Sequence, residues 1–141
     1  MSTKLEGMAD RDLAGAMALV HRESSALYSE IARRLGLTSQ QTQLFCVLSR
    51  EQPSFGELAT MLGCDKTNVT GIVDRLVRRG YLARETDPQD RRVSRIVLTG
   101  EGEALRRRIR AEFADGVEER YAGLSTEDRA LLVRLLGAAK P

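Results

Sequence analysis

Apolar residues recur along this chain in stripes of helical period, interrupted once by two short runs of strand character. From about Asp10 to Leu35, the positions Leu13, Met17, Val20, Leu27, Ile31 and Leu35 fall three, four or seven residues apart. That spacing predicts a long amphipathic helix, with Gly36 suited to its C-terminal stop. Thr38 followed by Gln41 is a capping-box pattern opening a shorter helix through Leu44, Phe45, Val47 and Leu48, which Pro53 keeps from continuing. Ser54 with Glu57 repeats the pattern, and Leu58, Met61 and Leu62 carry a third helix to Gly63. Asp65 is a good N-cap for a fourth helix. Its stripe of Val69, Ile72, Val73, Leu76 and Val77 is clean, and Gly80 ends it.

The strand-like runs come next, Tyr81–Glu85 and Val93–Leu98, joined by Thr86-Asp87-Pro88-Gln89-Asp90, which is turn chemistry. Thr99 opens the last region, where Glu101 and Glu103 suit the positive end of a helix. Leu105, Ile109, Phe113, Val117 and Tyr121 then recur at every fourth position. Ser125 with Asp128 caps a final short helix bearing Leu131, Leu132, Leu135 and Leu136. A helix buried on one face and polar on the other, followed by a hairpin with a basic tip, predicts a winged helix-turn-helix. The fold class is thus mainly α (α+β): a winged lobe over 38–98 within a single domain spanning 1–141. The flanking helices, 10–35 and 99–139, carry apolar faces too large for a lobe of that size to satisfy. Packing them together and against a second copy resolves this, with Leu13, Met17, Leu105, Ile109, Phe113, Val117, Leu132 and Leu135 as the dimerisation residues.

Composition narrows the reading. A hydrophobic fraction of 42% supports a core, while only 4% aromatic residues leaves the packing to aliphatic side chains. The net charge of +2 excludes a protein that coats nucleic acid by charge alone. Any DNA site must be a local patch, and residues 65–95 hold eight basic and five acidic side chains, a net of +3. Cys46 and Cys64 have no metal-ligand spacing, and a single histidine argues against a zinc site. No apolar run is long enough for a membrane span or a signal core, so a cytoplasmic protein without membrane association is expected. No catalytic constellation and no phosphate-binding glycine loop occurs. The expectation is a protein that is not an enzyme and takes neither cofactor nor metal.

On the fourth helix, Lys66, Thr67, Asn68, Thr70, Gly71 and Arg75 lie on the side away from the apolar stripe. Lys can donate to guanine, Asn can pair bidentately with adenine, and Thr can reach a base or a phosphate. Arg91 and Arg92 sit beside the hairpin turn, within reach of a DNA backbone. For Asp74 and Arg75 the structural role weighs more, with Asp74 and Arg78 spaced as an i, i+4 pair. Cys46 reads as a small buried hydrophobe. Cys64, just before a helix N-terminus, is the redox candidate. His21 in the first helix is the candidate for binding an anionic effector or sensing pH.

Three features carry a close resemblance to the MarR family of bacterial transcriptional regulators. They are the run TNVTGIVDRLVRRGYLAR at 67–84, the run DPQDRRVSRIVLT at 87–99 continuing into Gly100-Glu101-Gly102, and the overall helix order. The resemblance implies a triangular homodimer on a pseudo-palindromic double-stranded DNA operator, acting as a repressor. It also implies release by a small phenolic or anionic effector held between lobe and dimer helices. It assigns Arg91 to the minor groove and Arg92 to a phosphate contact or a structural role; Asp90, whose carboxylate phosphates would repel, is expected to orient Arg91. Gly71 departs from relatives that carry a larger side chain there. The lack of Trp departs from urate-responsive relatives, and the absence of Cys from the first helix departs from peroxide-sensing ones. Two other readings stay open: a redox-responsive regulator acting through Cys64, and a winged-helix module for protein–protein contact.

Overall fold

The computed structural model describes residues 12–48 and 52–138. In chain order the elements are α1 (Leu13–Leu35), α2 (Ser39–Val47), α3 (Phe55–Leu62), α4 (Lys66–Arg78), β1 (Leu82–Thr86), β2 (Ser94–Leu98), α5 (Gly100–Arg120) and α6 (Thr126–Ala138). Over the described residues the protein is mainly helical with one two-stranded antiparallel sheet, as the hydrophobic pattern predicts.

Local chemistry sets the helix boundaries. Asp12 caps α1 by accepting from the backbone of Gly15; the Asp10 start expected from the sequence lies outside the described residues. Thr38 and Gln41 form the full reciprocal box at 3.1 and 3.0 Å. Ser54, Asp65, Thr99 and Ser125 each accept one N–H in the first turn of the helix that follows. Each such cap supplies a partner to an N–H group that the helix itself leaves unsatisfied. Gly36 and Gly63 close α1 and α3 with φ of 67° and 64°, the left-handed region where other residues are strained.

The core gathers Ile31 of α1, Leu44 and Phe45 of α2, Leu58 of α3, Val69, Ile72, Val73 and Leu76 of α4, Leu82 of β1, Ile96 of β2 and Ile109 of α5. Burying each such aliphatic side chain is worth roughly 1.5–3 kcal/mol, so the α4 stripe alone holds that helix firmly on the lobe. Strand β1 pairs with β2 from Leu82↔Leu98 to Thr86↔Ser94, so the run expected at 81–85 shifts by one residue and the run expected at 93–98 starts one residue later.

The long apolar stripe of α5 is used differently from the sequence expectation. Ile109 is fully buried among core residues of its own protomer, and Leu105 and Phe113 pack against that core. Phe113 also stacks on Tyr28 of α1, centroids 4.6 Å apart. Ile109 is therefore a core residue and not a dimer contact, because α1 and α2 cover α5 from within the same chain. Helices α1 and α5 approach closely: a Cβ on Gly116 would fall 2.5 Å from Leu27 Cδ2. Tyr121 at the end of α5 donates to Glu23 of α1 at 2.8 Å. Most of the large apolar side chains left exposed lie elsewhere, on α1 (Leu13, Met17, Val20) and α6 (Leu131, Leu132, Val133, Leu135, Leu136), with Met61 of α3 and Val93 of the wing apart from them.

Candidate nucleic-acid interface

Helices α3 and α4 are joined by Gly63-Cys64-Asp65, a turn short enough to hold α4 across the lobe with its apolar stripe inward. The opposite side of α4 carries Lys66, Thr67, Asn68, Thr70 and Arg75, all exposed, with Gly71 partly covered. Their neighbours have trimmed this face. The Thr70 hydroxyl donates back to the Lys66 carbonyl at 2.9 Å. The Lys66 stem lies against Gly56 of α3, its Cε 3.2 Å from where a Cβ of Gly56 would stand. Asp74 gives its carboxylate to Arg84 of β1, while Arg78 Nε reaches only the Asp74 carbonyl, at 3.4 Å. The i, i+4 ion pair expected from spacing is replaced by a tie between the helix and the wing. Both partners are about two-fifths exposed, so this pair is worth at most about 1 kcal/mol and acts mainly on orientation.

The wing tip also differs from its expected form. Asp87 and Val93 bond across the loop at 2.9 Å, and Val93 N–H donates to the Asp90 carbonyl at 3.0 Å. The wing loop thus contains a turn with Arg91 and Arg92 as its two central residues. The Asp90 carboxylate engages Arg92, through the backbone N–H and Nε, both at 3.1 Å. Asp90 therefore orients Arg92, correcting the assignment to Arg91. Arg91 is exposed and makes no hydrogen bond or ion pair among the described residues.

Two braces were not recognised from the sequence. Arg95 of β2 donates to Asp87 at 2.9 Å and to the Gln52 carbonyl at 3.0 Å, fastening the wing base to the segment before α3. The Gln89 backbone N–H and then Arg95 hold the Asp87 carboxyl below the usual carboxylate range. Arg79 donates to the Gly36 carbonyl at 2.8 Å and lies 5.4 Å from the Tyr81 ring centroid, joining the end of α4 to the end of α1. The only sequence signal for either was an excess of arginine, which does not name a partner.

Other candidate residues lie apart from this surface. His21 is exposed on α1 and does not line the clefts of about 480, 390 and 300 Å³ found among the described residues. Cys64 is partly buried against the core. Cys46 is half-buried, and burial pushes its thiol pKa up; burial likewise raises that of the neighbouring Tyr28. Among the described residues no group of three or more His, Cys, Asp or Glu side chains could hold a metal ion. Nor is any described helix long and apolar enough to cross a membrane. A cleft of about 480 Å³ opens where β2 and the end of α2 meet α5, lined by Leu48, Gln52, Ile96, Val97, Leu98, Glu103 and Arg106. Arg106 is held there by the Leu48 carbonyl at 2.8 Å and by Glu103 at 3.3 Å.

Comparison with known proteins agrees with this geometry. Residues 37–94 match the sequence model of the MarR family. The homoprotocatechuate degradative operon repressor of Escherichia coli is 31% identical over 124 residues, spanning 85% of this chain and 83% of that one. The transcriptional repressor MprA of Escherichia coli strain K12 is 32% identical over 84 residues, 60% of this chain and 47% of that one. The crystal structure of wild-type apo MarR from E. coli superposes with a TM-score of 0.76 at 26% identity, covering 92% of this chain and 98% of that one. The chain belongs to the MarR family of winged-helix transcriptional regulators.

Proposed function

We propose that this protein is a homodimeric, effector-responsive repressor that reads a pseudo-palindromic operator. In each protomer α4 enters a major groove and Arg91 of the wing reaches the neighbouring minor groove. The observation that carries this reading is the pairing of two features: a polar α4 face set on a stripe in which Val69, Ile72, Val73 and Leu76 are buried, and a wing turn with an exposed arginine that has no carboxylate partner among the described residues. A winged-helix module used for protein contact has no need of such a cation at its tip.

The dimer reading draws on the exposed apolar residues of α1 and α6, Leu13, Met17, Leu132 and Leu135 among them. Leu105, Phe113 and Val117 sit partly covered on α5 and contribute at most an edge. Two copies would place the recognition helices about one helical turn of DNA apart. The cleft beside Arg106 is within the size range of small-molecule sites. Arg106 there is already paired with Glu103, so what supports an aromatic acid as effector is a relative named for homoprotocatechuate degradation.

A mobility-shift titration on DNA flanking the gene, at two salt concentrations, tests the reading. A salt-sensitive, sequence-preferring complex with two protomers per site is expected, weakened by added phenolic acids. Absence of any sequence-preferring complex would overturn it.

A further inference from the structure

Gly71 stands in the middle of α4, where glycine weakens a helix relative to alanine because it has more backbone freedom to lose. No conformational need places it there, since the described glycines with positive φ are Gly36, Gly63 and Gly80. Packing within the protomer does not call for it either: a Cβ built on Gly71 meets nothing within 4 Å. Helical spacing sets it one turn from Thr67 and Asn68 on one side and from Asp74 and Arg75 on the other. It is thus central to the polar face. Though partly covered, it keeps that Cβ position clear: Thr70 bonds back to the helix, Lys66 leans on α3, and Asp74 is drawn toward Arg84.

We infer that Gly71 is a specificity-determining residue, a gap in the recognition helix that seats the C5-methyl of a thymine. The major groove offers this one apolar protrusion, and bare backbone, with Thr67 one helical turn away, gives it room. An added Cβ would occupy that space and hold the helix off the base pair. This inference rests on the DNA-reading role proposed above.

The test is a double-mutant cycle on the full-length protein, with Gly71→Ala on one side and thymine-to-uracil replacement at each operator position on the other. Gly71→Ala is expected to raise Tm by a few degrees while weakening operator binding about tenfold and leaving a scrambled duplex bound as before. At one symmetric position per half-site, removing the methyl should weaken wild-type binding about fourfold, the worth of one buried methyl, and leave Gly71→Ala unaffected. A lower Tm, an equal loss on scrambled DNA, or additive effects at every position would overturn the assignment. If wild-type protein shows no sequence-preferring complex, the DNA-reading role itself fails, which is a separate result.

Discussion

Asp90 and Arg92 are bound to each other at the wing tip, backbone N–H and guanidinium Nε both donating to the same carboxylate oxygen at 3.1 Å and Nη2 to the other at 3.5 Å. That contact engages the Asp90 carboxylate and leaves Arg91, the other central residue of the turn, without an ion pair among the described residues. Arg91→Ala should therefore weaken operator binding by ~1–3 kcal/mol with Tm unchanged. Arg92→Ala should weaken it less, through a looser turn. Anisotropy titrations on a labelled operator measure both, and equal affinities for Arg91→Ala and wild type would place the wing contact elsewhere.

Arg95 fixes the wing at its base by bridging Asp87 and the Gln52 carbonyl. Arg95→Ala should leave the core folded but speed amide exchange across 87–93 and lower operator affinity. The Asp87 carboxyl is held below its ordinary range by the Gln89 N–H and Arg95. For an acid with a depressed pKa, the stabilisation is present above the ordinary carboxylate pKa of about 3.9 and is lost as pH falls through the depressed value. Wing protection should thus stay level from neutral pH to about 5 and decline only below about 4. Asp87→Asn should abolish that acid-dependent decline. Protection that decays already near neutral pH would assign control to another group.

Ile109 and Leu135 both lie on apolar stripes of the C-terminal region, yet Ile109 is 0% exposed and Leu135 57%. Ile109→Ala should destabilise the protomer by about 2–5 kcal/mol. Leu132→Asp combined with Leu135→Asp should preserve the helical circular dichroism while giving monomers in analytical ultracentrifugation. A dimer that survives the double substitution would move the interface off α6.

Gly116 lets α5 approach α1 at Leu27. Gly116→Val should cost about 1–3 kcal/mol through overpacking, read as a lower denaturant midpoint. Pairing it with Leu27→Ala should recover part of the loss. No recovery would mean that the strain is carried by the α5 backbone.

Burial raises the Cys46 thiol pKa, so less of it is thiolate at neutral pH than for a free cysteine. In the folded protein its alkylation by iodoacetamide near pH 7 should be slow and should accelerate sharply on denaturation. Rapid modification of native Cys46 would show that the α1–α2 contact opens readily.

Element type and order were legible along the chain because caps, glycine stops and apolar periods are local properties. Thr38 with Gln41, Asp65 before Val69, and Thr99 before Glu101 each mark a helix start within a few residues. The polar face of α4 followed for the same reason, since a clean buried stripe leaves only one side for DNA. Partner choice was not legible. Asp74 has Arg78 one helical turn away but pairs with Arg84 across the helix–wing corner. Asp90 has Arg91 and Arg92 in sequence, and the turn geometry selects Arg92. Ile109 belongs to a stripe whose period shows that it is buried but cannot show whether its own chain or a second copy does the burying. A periodic pattern records which face avoids water; what covers that face depends on where distant segments meet, and here α1 and α2 reach α5 first.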